Sequence, residues 1–277
     1  MAIILTDSTC DIGISELKEL HVEMLSVKVS FGTDEYADKR GITNEEFYNR
    51  LEQCDELPTT TLINIGEFIE AYDRFKHDDI VVITLSSKLS GTYQSAVAAC
   101  SMSHRDNIFV VDSATVSGGL ALLVKQAVKL RDEGFGAREI ADKIELLKGR
   151  VRTIAMIDTL KYLVKGGRLS GVSGAVGSVL GIKPICSIEN GVVNNIAKAR
   201  SVGCAINEIV RIVTMDKPID RLLPHIYVHT NNDNAMNKLI DKLDSADGAS
   251  FDRYMIGSVV GTHAGPGAVA VCYFEKD

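Results

Sequence analysis

Hydroxyl side chains and a glycine are concentrated in the segment LSSKLSGT, which spans residues 85–92. The apolar, β-branched run Ile80–Ile83 precedes it and predicts a strand buried on both faces, and Tyr93–Cys100 after it predicts a helix. A turn from a strand into a helix directs free backbone N–H groups and the positive end of the helix dipole to one place, and Gly91 permits a ligand to approach the backbone closely. The segment therefore predicts a site for an anionic head group, which could be a carboxylate or a phosphate.

A second group of hydroxyls is Thr59-Thr60-Thr61, which follows a leucine and a proline. Threonine favours extended backbone and serine favours helix N-termini, so each hydroxyl group by itself has a structural explanation. Both groups lie at the ends of predicted elements, however. Together they could hydrogen-bond one oxyanion without supplying a formal positive charge.

The segment GGRLSG, residues 166–171, opens a glycine-rich stretch that continues to Gly181. It does not match the G-x-x-x-x-G-K-[ST] phosphate loop, and its spacing is G-x-x-G-x-x-G instead of G-x-G-x-x-G. Small residues with valine and leucine between them suit close packing or a mobile flap over an apolar site. Arg168 is the one fixed cation in this stretch, and a surface role explains it as well as a binding role.

The segment GTHAGPG, residues 261–267, places three glycines and a proline around one histidine. This composition predicts a tight loop, and loops of this kind often carry function. His263 could donate a hydrogen bond to a ligand head group or transfer a proton. A structural role for a single loop histidine is the alternative.

The sequence offers no pattern for a catalytic nucleophile or a metal. G-x-S-x-G is missing, S-x-x-K is missing around Lys88, and the cysteines have no supporting motif. His225 and His229 lack a third candidate ligand, so we expect no metal there. Asp7, Asp11 and Asp112 lie at predicted strand ends, where helix capping and turn formation explain them as well as a cation site does.

Short strands and helices alternate through the first half of the chain. This order predicts an α/β fold with a mostly parallel sheet and helices on both faces, in a domain of residues 1–150. Hairpin-like strands with interleaved helices follow and predict a C-terminal α+β domain of residues 151–277. Polar residues come directly after several predicted strands, and ligands of open α/β sheets bind at those carboxyl ends.

Composition excludes several classes of function. A net charge of −7 and the absence of tryptophan argue against a nucleic-acid-binding surface. The N-terminus does not resemble a signal peptide, and no run approaches the roughly 18 apolar residues of a membrane span. Six scattered cysteines without a C-x-x-C pair fit a reducing compartment, so we expect a cytoplasmic protein.

Several segments together resemble the DegV family of bacterial fatty-acid-binding proteins, in family order over essentially the full length. The matching segments are TDSTCDI (6–12), LPTTT (57–61), SSKLSGTYQSA (86–96), VDSATVSGG (111–119), LKYLVKGGRLS (160–170), KPI (183–185) and GTHAGPGA (261–268). The resemblance implies a two-domain fold with a long-chain fatty acid buried between the domains. It also implies a role as the acyl-carrying subunit of a bacterial fatty acid kinase, whose separate ATP-binding subunit phosphorylates the carboxyl group.

Site residues follow from the same resemblance. The positions that match the family's carboxyl-binding residues are Thr60, Thr61, Ser90, Gly91 and His263, and Arg168 matches an arginine associated with binding. The family commonly continues its hydroxyl pair with Gln-Pro-Ser, whereas Leu62-Ile63-Asn64 stands here.

We therefore expect a lipid-binding subunit without independent turnover and without a cofactor, whose ligand is an acid such as palmitate, stearate or oleate. Its partners would be the kinase subunit and, transiently, a membrane surface. The apolar segments Ala121–Leu130 and Val172–Ile182 are expected as walls of the acyl tunnel. The alternative is an enzyme that acts on a small phosphorylated or carboxylated metabolite at the same helix N-terminus, with His263 as acid or base.

Overall fold

The computed structural model describes residues 1–170, 181–244 and 251–277. The strands are β1 (Ile3–Asp7), β2 (Val22–Leu25), β3 (Lys28–Phe31), β4 (Asp34–Ala37), β5 (Thr59–Thr61), β6 (Ile80–Thr84), β7 (Ile108–Asp112), β8 (Val151–Met156), β9 (Lys183–Glu189), β10 (Val192–Ala199), β11 (His225–His229), β12 (Phe251–Met255) and β13 (Val269–Phe274). The helices are α1 (Ile14–Glu19), α2 (Asn44–Gln53), α3 (Ile65–Arg74), α4 (Thr92–Ser103), α5 (Gly118–Asp132), α6 (Ala137–Leu147), α7 (Lys161–Lys165), α8 (Val202–Arg211), α9 (Asp233–Leu243) and α10 (Ser258–Ala264). Short 3₁₀ turns lie at Ser8–Cys10 and Lys148–Arg150, and a π-helical turn lies at Ile212–Asp216.

The first sheet consists of four parallel strands in the order β2-β1-β6-β7. Every residue of β6 is buried, as the apolar run predicted. On one face, Val82 shares a buried cluster with Phe68 of α3 and residues of α4. On the other face, Ile83 shares a cluster with Leu120 of α5 and residues of α6. The predicted parallel sheet with helices on both faces is confirmed.

The second sheet is mixed and has the strand order β10-β9-β8-β13-β11-β12. Neighbouring strands are antiparallel except for the parallel pair β11 and β12. Its outer face packs against α8 and α9, where Tyr227 and Tyr273 share a cluster with Ile206 and Leu239. This arrangement of strands and helices confirms the α+β organisation predicted for the second part.

Helix α5 lies between the two sheets, and its first seven residues are all buried. Gly118 allows it to approach the second sheet, since a Cβ atom there would lie 2.8 Å from the Cys272 sulfur. One hydrophobic cluster includes Ile4 of the first sheet and Ala270 of the second. Because this core is shared, the division into domains 1–150 and 151–277 stays a prediction.

A small third sheet has the strand order β4-β3-β5. The chain leaves the first sheet after β2, because Val27 donates its N–H to the Ser8 hydroxyl and Ser26 donates to the Asp38 carbonyl. The following strand β3 then pairs with β5, which carries the threonines of residues 59–61. The third sheet thereby brings these hydroxyls beside helix α10.

Candidate ligand-binding site

The inner face of the second sheet borders a cavity of about 210 Å³. Cys186, Ala155, Ala270 and Val228 face one another across the neighbouring strands β9, β8, β13 and β11, and all four line the cavity. These side chains are small, so they leave space above the sheet where α5 does not cover it. The row forms an apolar floor.

All six site residues predicted from the family resemblance line this same cavity. They are Thr60, Thr61, Ser90, Gly91, Arg168 and His263. They come from β5, from the turn after β6, from the segment after α7 and from the last turn of α10. Residues separated by up to 203 positions are thus brought together in the wall of the cavity.

His263 and Thr60 make the central contact, with 3.0 Å between the imidazole Nε2 and the threonine Oγ1. The predicted tight loop around the histidine is wrong, because residues 258–264 form helix α10 and only Gly265, at φ +72°, ends it. A helix holds the imidazole more firmly than a loop would. Thr61, the next residue of the strand, is exposed to solvent and also lines the cavity.

Burial, and to a smaller extent the positive charge of Arg168, lowers the pKa of His263 to about 4. The imidazole is therefore neutral at physiological pH, with one N–H donor and one acceptor nitrogen. Its Nδ1 atom is buried, and no hydrogen-bond partner for it lies within the described part of the chain.

The turn after β6 has the strand-to-helix form that the sequence predicted. Gly91 is the N-cap residue of α4, and the first N–H groups of a helix have no partner inside it. The Ser90 hydroxyl lies 3.0 Å from the Thr92 hydroxyl and accepts the Thr92 N–H at 3.3 Å. Leu62 covers the turn, since a Cβ atom at Gly91 would lie 2.8 Å from its Cδ2.

Arg168 connects the segment after α7 to this turn. Its Nη1 donates to the Gly166 carbonyl at 2.5 Å and its Nε donates to the Leu89 carbonyl at 3.2 Å. Among the described residues no carboxylate lies within 4 Å of the guanidinium. The side chain therefore places an unneutralised positive charge at the cavity while it fixes the position of the turn.

Two buried aspartates hold the start of α10 and were not identified as site residues from the sequence. Asp11 accepts the Gly257 N–H at 2.8 Å and the Ser117 hydroxyl at 2.5 Å. Asp38 accepts the Ser258 N–H at 3.0 Å and the Ser258 hydroxyl at 2.6 Å. Burial raises the pKa of Asp11 to about 6. The sequence signal for Asp11 was its place after a strand, which turn formation also explains.

The expected tunnel walls need correction. Helix segment Ala121–Leu130 is packed into the shared core, and the lining comes from Val116 and Ser117 ahead of it. Thr9 and Thr153 add two hydroxyls that the sequence analysis missed. Of the other expected wall, Val172–Ile182, residues 172–180 lie outside the described residues.

Within the described ranges, no group of three or more His, Cys, Asp or Glu side chains is arranged to hold a metal ion. No described helix is both long and apolar enough to cross a membrane.

The two sheets and the mainly apolar cavity that the second sheet borders define an α/β protein with a candidate site for a small molecule. A family model described as "Uncharacterised protein, DegV family" matches residues 1–276, and the chain belongs to this family. A DegV domain-containing protein of Caldanaerobacter subterraneus is 34% identical over 277 residues, which are 99% of this chain and 98% of the relative.

Two solved structures share the fold over nearly the whole of both chains. One is described as DegV, a fatty acid binding protein from Bacillus subtilis, with 31% identity, a TM-score of 0.86 and 99% of each chain covered. The other is a DegV lipid binding protein from Thermotoga maritima, with 29% identity, a TM-score of 0.88 and coverage of 100% of this chain and 99% of the other.

Proposed function

We propose that this chain binds a long-chain fatty acid, with its acyl chain in the cavity and its carboxyl group at the polar end. The groups that hold the carboxyl are the side chains of Thr60, Thr61, Ser90 and His263 and the amide of Gly91, with Arg168 in support. The observation that carries the proposal is the contrast within one cavity wall. Small apolar side chains of the second sheet form one part of the lining, whereas the hydroxyl, amide and imidazole groups of the predicted site come from elements outside that sheet, where the His263 ring contacts Thr60. The descriptions of the two similar solved structures support the same ligand class.

The polar end suits a carboxyl group because a buried charge without hydrogen-bond partners is costly. Uncharged donors satisfy the carboxyl oxygens, and the nearby charge of Arg168 favours the ionised form. The tail contributes most of the affinity. At about 0.8 kcal/mol per buried methylene, a sixteen-carbon chain offers roughly 12 kcal/mol before the costs of ordering are subtracted. Palmitate, stearate and oleate are the ligands we propose.

Denaturing mass spectrometry of an organic extract from the purified protein tests the ligand. We expect one long-chain acid per chain, and less of it in Ser90→Ala and Thr60→Val. Thr59→Val is the matched control, because Thr59 lies in the same strand but does not line the cavity. An extract without lipid, together with no uptake of added palmitate, would refute the proposal.

We propose further that the chain presents the carboxyl group to the ATP-binding subunit of a fatty acid kinase and has no turnover of its own. Thr61 is exposed and Leu62 is 39% exposed, so the polar end of the cavity lies near solvent and a partner can reach it. Trapping of acyl phosphate with hydroxylamine tests this role. The product should form from ATP and palmitate only when the kinase subunit is added.

The alternative metabolite enzyme is less well supported. Such an enzyme needs several charged groups to hold and activate its substrate, whereas Arg168 is the one residue with a formal charge among the described residues that line the cavity. Acyl-phosphate formation by the chain alone would favour an enzymatic reading.

A cytoplasmic location and transient contact with a membrane surface belong to the same proposal, because a kinase partner uses cytoplasmic ATP and the acid must exchange with a bilayer. Leu62 and Ile65, 39% and 38% exposed, are apolar groups that could meet the bilayer near the polar end of the cavity. Transfer of a fluorescent fatty acid from vesicles should slow in Leu62→Ser if this contact is used.

A further inference from the structure

The two glycine-rich motifs of the sequence meet at His263. Gly166 ends α7 with φ −75° and ψ −10°, a conformation that any residue adopts, so backbone freedom does not explain a glycine there. Space does explain it. A Cβ atom at position 166 would overlap the His263 Nδ1 and lie 2.9 Å from its Cε1. The neighbouring Gly167 is the opposite case, with φ +68° and no described atom within 4 Å of its Cβ position.

A reciprocal contact lies at the end of α10. A Cβ atom at Gly265 would overlap the ring of Tyr162 and lie 2.6 Å from its Cε2. Helices α7 and α10 thus each end at a glycine that receives an aromatic ring from the other helix. Their relative position is fixed by two close contacts, and His263 is one of the two rings involved.

We propose that Gly166 is a positioning residue of the carboxyl site, because it holds the His263 imidazole where Nε2 meets the Thr60 hydroxyl. This inference rests on the proposed binding of a fatty acid at that site. Gly166 does not contact the ligand in this proposal. It acts indirectly, because the absence of a side chain at position 166 leaves room for the ring in its present position.

A methyl group at position 166 would displace the imidazole from its present position. The ring is rigid, so a methyl group at position 166 cannot be accommodated by bending it. The backbone of α10 cannot retreat either, because Gly261 packs closely on Tyr48 and Phe47: even a Cβ atom at position 261 would lie 2.6 Å from the Tyr48 hydroxyl oxygen and 2.8 Å from the Phe47 Cε1. The ring must therefore rotate away and lose its 3.0 Å contact with Thr60.

A double-mutant cycle tests the proposal with Gly166→Ala, His263→Ala and the double variant, all stripped of lipid. Displacement of a fluorescent fatty acid by palmitate gives the affinity. We expect Gly166→Ala to weaken palmitate binding at least tenfold in the wild-type background and less than twofold in the His263→Ala background, where the ring is gone. Gly167→Ala is the control, because it strains the backbone without touching His263, and its affinity should stay within twofold. An equal loss in both backgrounds, or no loss, would overturn the proposal.

A second measurement does not depend on the ligand. NMR titration of His263 should show a higher pKa in Gly166→Ala, because the rotated ring is less buried, and an unchanged titration would overturn the positioning role. Absence of palmitate binding by the wild-type protein would instead refute the proposed function. If Gly166→Ala does not fold, the double variant should still fold as His263→Ala does, because the ring is gone. If the double variant does not fold either, the space beside Gly166 serves something other than the ring, and the proposal is overturned.

Discussion

Protonation of His263 should destabilise the folded protein, and the structure gives the size of the effect. Burial lowers the pKa of this imidazole from 6.5 to about 4, so the unfolded chain binds a proton in this range and the folded chain does not. Stability therefore falls as the pH falls from 6.5 towards 4. One pKa unit corresponds to about 1.4 kcal/mol, so the contribution of His263 should decrease by about 2 kcal/mol between pH 7.5 and pH 5.

Urea unfolding of the lipid-free protein at several pH values measures this term, provided that His263→Gln is measured beside the wild type. The comparison is needed because Asp7 and Asp11 have the opposite effect. Burial raises their pKa values to about 6, so their contribution to the free energy of unfolding is present at low pH and is lost as the pH rises through 6. Both proteins carry these aspartates, so the difference between the two curves isolates His263. That difference should change by about 2 kcal/mol in favour of His263→Gln on going from pH 7.5 to pH 5. Parallel curves would refute the reasoning, because they would mean that the imidazole is solvated in the folded state.

Three other substitutions have defined outcomes. Asp38→Ala should lower the free energy of unfolding by about 3 kcal/mol, since two charge-assisted hydrogen bonds to Ser258 are lost, and urea unfolding at pH 7 measures it. Gly191→Ala should lower the melting temperature more than Gly134→Ala does, as thermal unfolding measures. Both glycines have positive φ, but only a Cβ atom at Gly191 would press on a buried hydroxyl, that of Ser86, 2.6 Å away. Burial by itself raises the pKa of Asp244. Hydrogen bonds with His225, Tyr227 and Arg221 outweigh burial and hold this pKa at about 2. The contribution of Asp244 to stability is complete above pH 4 and is lost as the pH falls towards 2. Asp244→Asn should therefore unfold in less urea at pH 7, and its stability should depend less on pH in the acid range.

The first sheet was predictable because its signals are local. The run Ile80–Ile83 is apolar without interruption and β-branched, which is typical of a strand buried on both faces in an α/β protein. The capping box at the start of α2, in which Thr43 and Glu46 hydrogen-bond each other's backbone N–H, is likewise written in four consecutive residues. Both depend on near neighbours in the sequence, so a local sequence pattern is enough to identify them.

Helix α10 was missed because its cause is not local. Glycines at positions 261, 265 and 267 and a proline at 266 favour a loop in isolation. Tertiary contacts outweigh that preference, because Asp11 and Asp38, more than 200 positions away, accept the N–H groups at its start. Gly261 is there to let the helix approach Tyr48 and Phe47. A glycine that is needed for space and a glycine that is needed for a turn look the same in a sequence.

The distribution of charge at the cavity has a consequence for the proposed ligand. Arg168 already donates two of its five N–H groups to backbone carbonyls, and His263 is neutral, so no described cation at the cavity has all of its donors available for a carboxylate. The head group would be held by several modest hydrogen bonds, each worth about 1 kcal/mol, while the tail supplies roughly ten times that amount. An acid bound in this way is retained by its tail and leaves its carboxyl group loosely held near solvent. Such a division suits a protein that keeps its ligand while a partner modifies the head group, and it predicts that Ser90→Ala should lower the affinity for palmitate less than a shortening of the acid by four methylenes does.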